Sequence, residues 1–202
     1  MDTFDQRRRV PARPSLPHAA AIPLAGAFTL IELLITIAVA ALLAGVAVPS
    51  MRGLLLDQRM SDQINTLVGH INFSKSEAVM RNRQVVICKS ADGQVCDARA
   101  AWDEGWIVFV DNDRNEHRAA GEPLLRRHGP LPAGLSVHYA GFPSSRYMSF
   151  APTGITRVNG TFVFCDGRGP EKARAVVVSK TGRARTTARN AGGAPLVCPQ
   201  GG

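Results

Sequence analysis

The sequence predicts an α+β chain: one long N-terminal helix, its first half apolar enough to cross a membrane, packed on antiparallel β-sheets. Three observations lead there. The 21 residues 28–48 read FTLIELLITIAVAALLAGVAV and hold one charge, Glu32. Residues 50–82 place apolar side chains at helical steps. From Gln84 onward the chain breaks into short β-branched runs divided by Gly, Pro, Asn and Asp. A helix set on antiparallel sheet buries one apolar stripe and one apolar face together.

The bounds are simple. At 202 residues, 45% hydrophobic and 20% charged, the chain holds one modest domain plus a targeting or membrane segment. That hydrophobic share excludes a wholly disordered chain. The 19 Gly and 13 Pro show no repeat at every third residue, which excludes collagen.

Residues 1–27 carry Arg7, Arg8, Arg9 and Arg13 ahead of the apolar run. Basic residues on that flank hold it in the cytoplasm and send the rest across. A helix over 28–48 is long enough for a hydrocarbon core of about 30 Å. A secretory signal has a shorter apolar core with its small-residue cleavage site behind it. Here Ala25, Gly26 and Ala27 come first, so cutting there leaves the membrane helix on the mature chain. Glu32 costs a few kcal/mol in that setting unless it is paired. Either it sits hydrated near the interface, or it is kept for a partner such as the free amine of a neighbouring chain.

Residues 49–83 read as the soluble half of the same helix. Leu56, Met60, Ile64, Leu67, Val68, Ile71 and Val79 keep mostly to one face, while Arg52, Asp57, Arg59, Asp62 and Lys75 fall on the other. Residues 84–187 read as a β-rich domain. Its strand candidates are 84–89 (QVVICK), 105–111 (GWIVFVD), 124–128, 135–140, 147–150, 161–165 (TFVFC), 173–179 (ARAVVVS) and, after a Thr181-Gly182 turn, 183–186. Residues 188–202 are rich in Gly and Pro and read as a tail.

Four cysteines, Cys88, Cys96, Cys165 and Cys198, in an exported domain favour disulfides. Three pairings are open. Short loops close more readily, which favours Cys88–Cys96 with Cys165–Cys198. A zinc site lacks both C-x-x-C spacing and a histidine cluster. Asp111, Asp113 and Asn115, with Glu122 completing twelve positions, resemble a calcium loop. Glu116 stands where that loop turns on glycine, so an acidic hairpin loop is the expectation. No zinc-protease, nucleophile-elbow or phosphate-loop motif occurs around the five histidines, so neither catalysis nor a cofactor is expected.

The charge is local. The 202 residues carry a formal +8; residues 28–202 carry 20 basic and 14 acidic side chains. The window 168–189 alone holds seven basic residues, Arg168, Lys172, Arg174, Lys180, Arg183, Arg185 and Arg189, against Glu171. That is the footprint of a polyanion site. Gly182 permits a tight turn that exposes backbone N–H groups, and it leaves room, with Ala184, for a duplex. Arg183 and Arg185 lie two apart, so an extended strand points both the same way, and each guanidinium can grip a phosphate bidentately. Lys180 and Arg189 extend the charge. With no recognition helix and no aromatic row, binding is expected to ignore sequence and to weaken with salt.

Four runs carry a family resemblance. G-A-F-T-L-I-E-L-L, at 26–34, resembles the leader of type IV pilins and type II secretion pseudopilins. S-E-A-V-M-R-N-R-Q-V-V-I-C, W-x3-W-I-V-F-V-D and A-V-V-V-S-K-T-G-R-A-R resemble the FimT/GspH group within it. The resemblance implies a type IV pilin-like fold and cleavage by a prepilin peptidase between Ala27 and Phe28. It also implies methylation of the new amine on Phe28, with Glu32 neutralising that amine on an adjacent subunit. The chain would sit in the bacterial inner membrane with its C-terminal domain in the periplasm, and join other major and minor pilins in a pilus. The G-R-x-R run resembles the DNA-binding motif of FimT-type minor pilins, which implies capture of double-stranded DNA in natural transformation through Arg183 and Arg185. Two other readings stay open: a structural subunit of a pilus or secretion pseudopilus, and an adhesion module for acidic polysaccharide.

Overall fold

The computed structural model describes residues 29–198, side chains 46–50 excepted. One helix, α1 (Leu30–Arg81), precedes eight strands: β1 (Gln84–Lys89), β2 (Trp106–Asp111), β3 (Leu124–His128), β4 (Leu135–Phe142), β5 (Tyr147–Phe150), β6 (Asn159–Asp166), β7 (Arg174–Val178) and β8 (Ala184–Thr187). Each of the eight overlaps a run that the sequence offers as a strand candidate. Two short 3-10 turns, Trp102–Glu104 and Pro170–Lys172, have no periodic signal.

The chain divides into two compact units, 1–48 and 49–202. In the first, Thr29 caps α1: its Oγ1 accepts the Glu32 N–H at 3.3 Å. Glu32 therefore sits in the first helical turn, where the exposed N–H dipoles favour a carboxylate. The described apolar side chains here, from Leu30 to Leu43, are exposed. Among the described residues, no helix is long and apolar enough to cross a membrane. Phe28 and the side chains of 46–48, the two ends of the expected span, lie outside the described residues.

In the second unit the strands form two antiparallel four-stranded sheets, in the orders β3-β2-β1-β5 and β4-β6-β7-β8. One core joins both sheets to the helix. Met60, Ile64, Leu67, Ile71 and Ala78 of α1 meet Val85, Ile87, Trp106 and Val108 of the first sheet, and Val137, Tyr139, Phe162, Phe164, Val176 and Val178 of the second. Alternate residues on the strands face away from this core. Val86, Cys88, Ile107 and Phe109 form a second cluster, and Cys165, Ala173, Ala175 and Leu196 a third. Both outer faces are thus covered by loops, and a disulfide holds each cover. Cys88–Cys96 closes over the first sheet and Cys165–Cys198 over the second.

The helix stripe departs from simple periodicity at its C-terminal end. Val79 is 52% exposed, whereas Ser74, Glu77 and Ala78 are buried. Glu77 is paired with Arg81 one turn on. The segment after Thr187 is no loose tail up to Cys198: Leu196 is buried, and Arg189 bridges to Pro195.

The helix–sheet seam holds an unusual polar contact. Trp106 Nε1 donates to His70 Nδ1 at 2.9 Å, and the His128 ring stacks on Trp106 with centroids 4.0 Å apart. Burial, then the charges of His128 and Arg126, push the His70 pKa down to about 4. Burial likewise lowers that of His128.

Candidate nucleic-acid interface

The β7–β8 hairpin carries the basic turn. Val177 pairs with Arg185 and Val178 with Ala184, so residues 179–183 form the connection. Ser179 organises it. Its carbonyl accepts the Gly182 N–H at 2.8 Å, its Oγ accepts the Arg183 N–H at 3.3 Å, and its N–H donates to the Arg183 carbonyl at 3.1 Å.

Gly182 takes φ +72°, the left-handed region that glycine enters without strain. Its role differs from the expectation in two ways. The Gly182 and Arg183 N–H groups are both bonded within the turn, so neither is offered outward. The glycine itself is buried: a Cβ there would sit 3.0 Å from Phe150 Cε1 and 3.1 Å from the Gly154 carbonyl oxygen. The room that Gly182 leaves is filled by the protein's own core. Ala184, too, packs against that core. Outward, the hairpin presents the side chains of Lys180, Arg183 and Arg185.

Lys180, Arg183 and Arg185 are exposed. Among the described residues, no hydrogen bond or ion pair engages the side chain of any of the three. Their charge is uncompensated, whereas other members of the sequence window are occupied. Arg168 bonds Asp166 at 2.7 Å and Asp57 at 2.8 Å. The Asp166 partner raises its pKa, and Arg168 in turn lowers that of Asp166. Arg174 donates to the Ala173 carbonyl, and Arg189 to the Gly193 carbonyl at 3.1 Å. Arg168 thus leaves the cluster as a neutralised residue. Arg189 remains exposed at the far end of β8 with part of its guanidinium in use.

The sequence reading missed Lys75. Assigned to the solvent face of α1, it is half-buried, and its Nζ donates to the Thr181 carbonyl at 2.9 Å. Its signal was invisible in sequence because its partner lies 106 residues away.

Elsewhere, Asp111, Asp113 and Glu122 bring carboxylate oxygens within 4.8 Å of one another. Loop N–H groups occupy the two buried members. Asp111 accepts from Arg114, Asn115 and Glu116 as well as the Gln84 amide, and Glu122 from Asn112 and Ala119. Burial raises the Asp111 pKa. Glu116 takes φ +59°, so this loop makes its turn without the expected need for glycine. The four cysteines form two disulfides, with Cα atoms 5.6 Å and 5.9 Å apart. Ala27 and Phe28 lie outside the described residues.

With this geometry in hand, comparison with known proteins places the chain. Residues 63–182 match the family model described as type II transport protein GspH. The solved type IV minor pilin FimU of Pseudomonas aeruginosa aligns at 20% identity, covering 64% of this chain and 89% of its own, with a TM-score of 0.51. The minor pseudopilin EpsH of the Vibrio cholerae type 2 secretion system aligns at 9% identity over 63% of this chain and 94% of its own, with a TM-score of 0.46. No curated protein sequence matches the chain. At these identities the FimU likeness speaks to fold alone, whereas the family model spans more than half the chain: the protein belongs to the GspH family and has the helix-on-antiparallel-sheet fold of type IV minor pilins.

Proposed function

We propose that the chain is a minor pilin that binds double-stranded DNA without sequence preference, for uptake in natural transformation. The observation that carries this reading is the braced β7–β8 turn, with Lys180, Arg183 and Arg185 exposed and without acidic partners. Two guanidinium forks and an ammonium on one hairpin suit successive phosphates. Recognition led by exposed cationic side chains, with the Gly182 and Arg183 N–H groups already bonded, suits a ligand read by charge rather than by base edges.

The same proposal covers the N-terminus. A prepilin peptidase cuts between Ala27 and Phe28, and the Phe28 amine is methylated. Residues 28–48 cross the inner membrane and leave 49–202 in the periplasm, and Glu32 meets the amine of a neighbouring pilin on assembly. Support here comes from the sequence: 21 residues with one charge, behind four arginines.

The test is fluorescence anisotropy of a labelled duplex with the full-length chain in neutral detergent, across a salt series. Four phosphate contacts give a slope of about −3.6 in log K against log salt. Arg183→Ala/Arg185→Ala should remove most of the binding. A wild-type chain that leaves the duplex free at low salt rules the reading out.

The family description, type II transport, favours a second reading: a structural pseudopilin or priming subunit with no ligand of its own. It predicts that the double arginine variant assembles and supports secretion as well as wild type.

A further inference from the structure

We infer that Lys75 of α1 is a positioning residue for the basic turn, and that it acts on polyanion binding through Arg183 and Arg185 rather than by touching phosphate. The inference rests on the proposed reading of the turn as a polyanion site. It starts from where the turn's own carbonyls go. Lys75 Nζ donates to the Thr181 carbonyl at 2.9 Å, and the Thr156 N–H donates to the Lys180 carbonyl at 3.0 Å. Two successive carbonyls at the tip are tied down from two different elements, the helix and the β5–β6 loop.

This matters for an anion in two ways. Carbonyl oxygens left outward on a turn repel phosphate, and here donors take both. The lysine stem also fixes the turn sterically. Its Cδ lies 3.3 Å from where a Cβ on Gly182 would stand, and its Cε lies 3.3 Å from the equivalent point on Gly154. The side chain threads between two glycine turns whose backbones approach it closely. Among the described residues no carboxylate pairs with Lys75, so its bond to Thr181 is its principal polar contact. A half-buried ammonium bonded to a carbonyl, with its stem enclosed, holds a loop more firmly than it could reach for a ligand. Pre-ordering Arg183 and Arg185 lowers the entropy lost when they bind.

Three variants of the full-length chain in detergent test this against the same labelled duplex. Lys75→Met keeps the packed stem and deletes the donor. Thermal stability should stay near wild type, while affinity at fixed salt falls about fivefold, the scale of one ordinary hydrogen bond. Lys75→Arg restores a donor and should restore most of the affinity. In the Arg183→Ala background the Lys75→Met penalty should shrink, because residues acting through one another are not additive.

Unchanged binding by Lys75→Met overturns the inference and leaves the polyanion reading standing. So does a full penalty in the Arg183→Ala background with a salt slope smaller by about 0.9, which marks Lys75 as a direct phosphate contact. No binding by wild type overturns the polyanion reading and this inference with it. If Lys75→Met fails to fold, Lys75→Gln serves as the second donor-altering variant, and the same outcomes decide.

Discussion

Gly182 shows how one residue joins the core to the candidate site. Its φ of +72° is strained for any side chain, and a Cβ there would press on the Phe150 ring at 3.0 Å. Strain in the left-handed region costs about 1–3 kcal/mol, and the contact adds to it. Gly134 provides the control, since its φ of +83° faces open space. Urea unfolding should find Gly182→Ala less stable than Gly134→Ala, with the first losing at least about 1–3 kcal/mol. Equal losses would show that packing under the turn contributes nothing. If the turn binds DNA as proposed, Gly182→Ala should also weaken that binding, because the turn must shift outward to make room.

At the scale of elements, the two sheets are finished by their disulfide-held loops. Cys165–Cys198 spans 33 residues and keeps Leu196, 5% exposed, on the outer face of the second sheet. Closing a loop of that length stabilises a fold by about 3–4 kcal/mol on the chain-entropy account. Cys165→Ser/Cys198→Ser should therefore lower the unfolding temperature by roughly 6–16 °C, given about 2–4 °C per kcal/mol for a domain of this size. Calorimetry under non-reducing conditions measures it, and a shift below about 2 °C would show that the cover holds without its clip. The spacing of the cysteines made this pairing the favoured one, and each of the eight strands overlaps a run that the sequence offered as a strand candidate. The Lys75–Thr181 bond and the burial of Ser74 and Glu77 were hidden, because periodicity ranks the faces of a helix but not the neighbours that cover its last turns. The 3-10 turn at Trp102 was hidden for a similar reason. Trp102 is held by edge contacts with Tyr139 and Phe162 and by a bond to the Ser145 carbonyl, all distant in sequence. The charge window was legible as a sum, but only the pairing of Arg168 with Asp57 and Asp166 separates neutralised cations from open ones.

At the scale of the whole molecule, helix and sheets share one core, so a titrating group at their seam makes global stability depend on pH. His70 is that group. Its Nδ1 must stay unprotonated to accept from Trp106 Nε1, and burial lowers its pKa from the ordinary 6.5 to about 4. The folded chain therefore resists a proton that the unfolded chain accepts. Between pH 6.5 and 4 the unfolded state binds more protons, and stability falls as pH falls. Above pH 6.5 the contribution is complete. His128, also lowered by burial, works in the same direction. Asp111, raised by burial, works against it at the acid end. His70 is only part-buried, so the loss is on the order of 1–2 kcal/mol after allowing for solvent screening. His70→Asn isolates it, because an amide oxygen can accept from Trp106 without titrating. Denaturant unfolding at pH 7 and pH 4.5 should show a smaller pH-dependent loss in His70→Asn than in wild type. Tryptophan fluorescence should follow the same transition through Trp106. Parallel pH profiles for the two proteins would mean that the seam is indifferent to the histidine's proton. A flattened profile would place the acid sensitivity of the entire domain at the contact between α1 and β2.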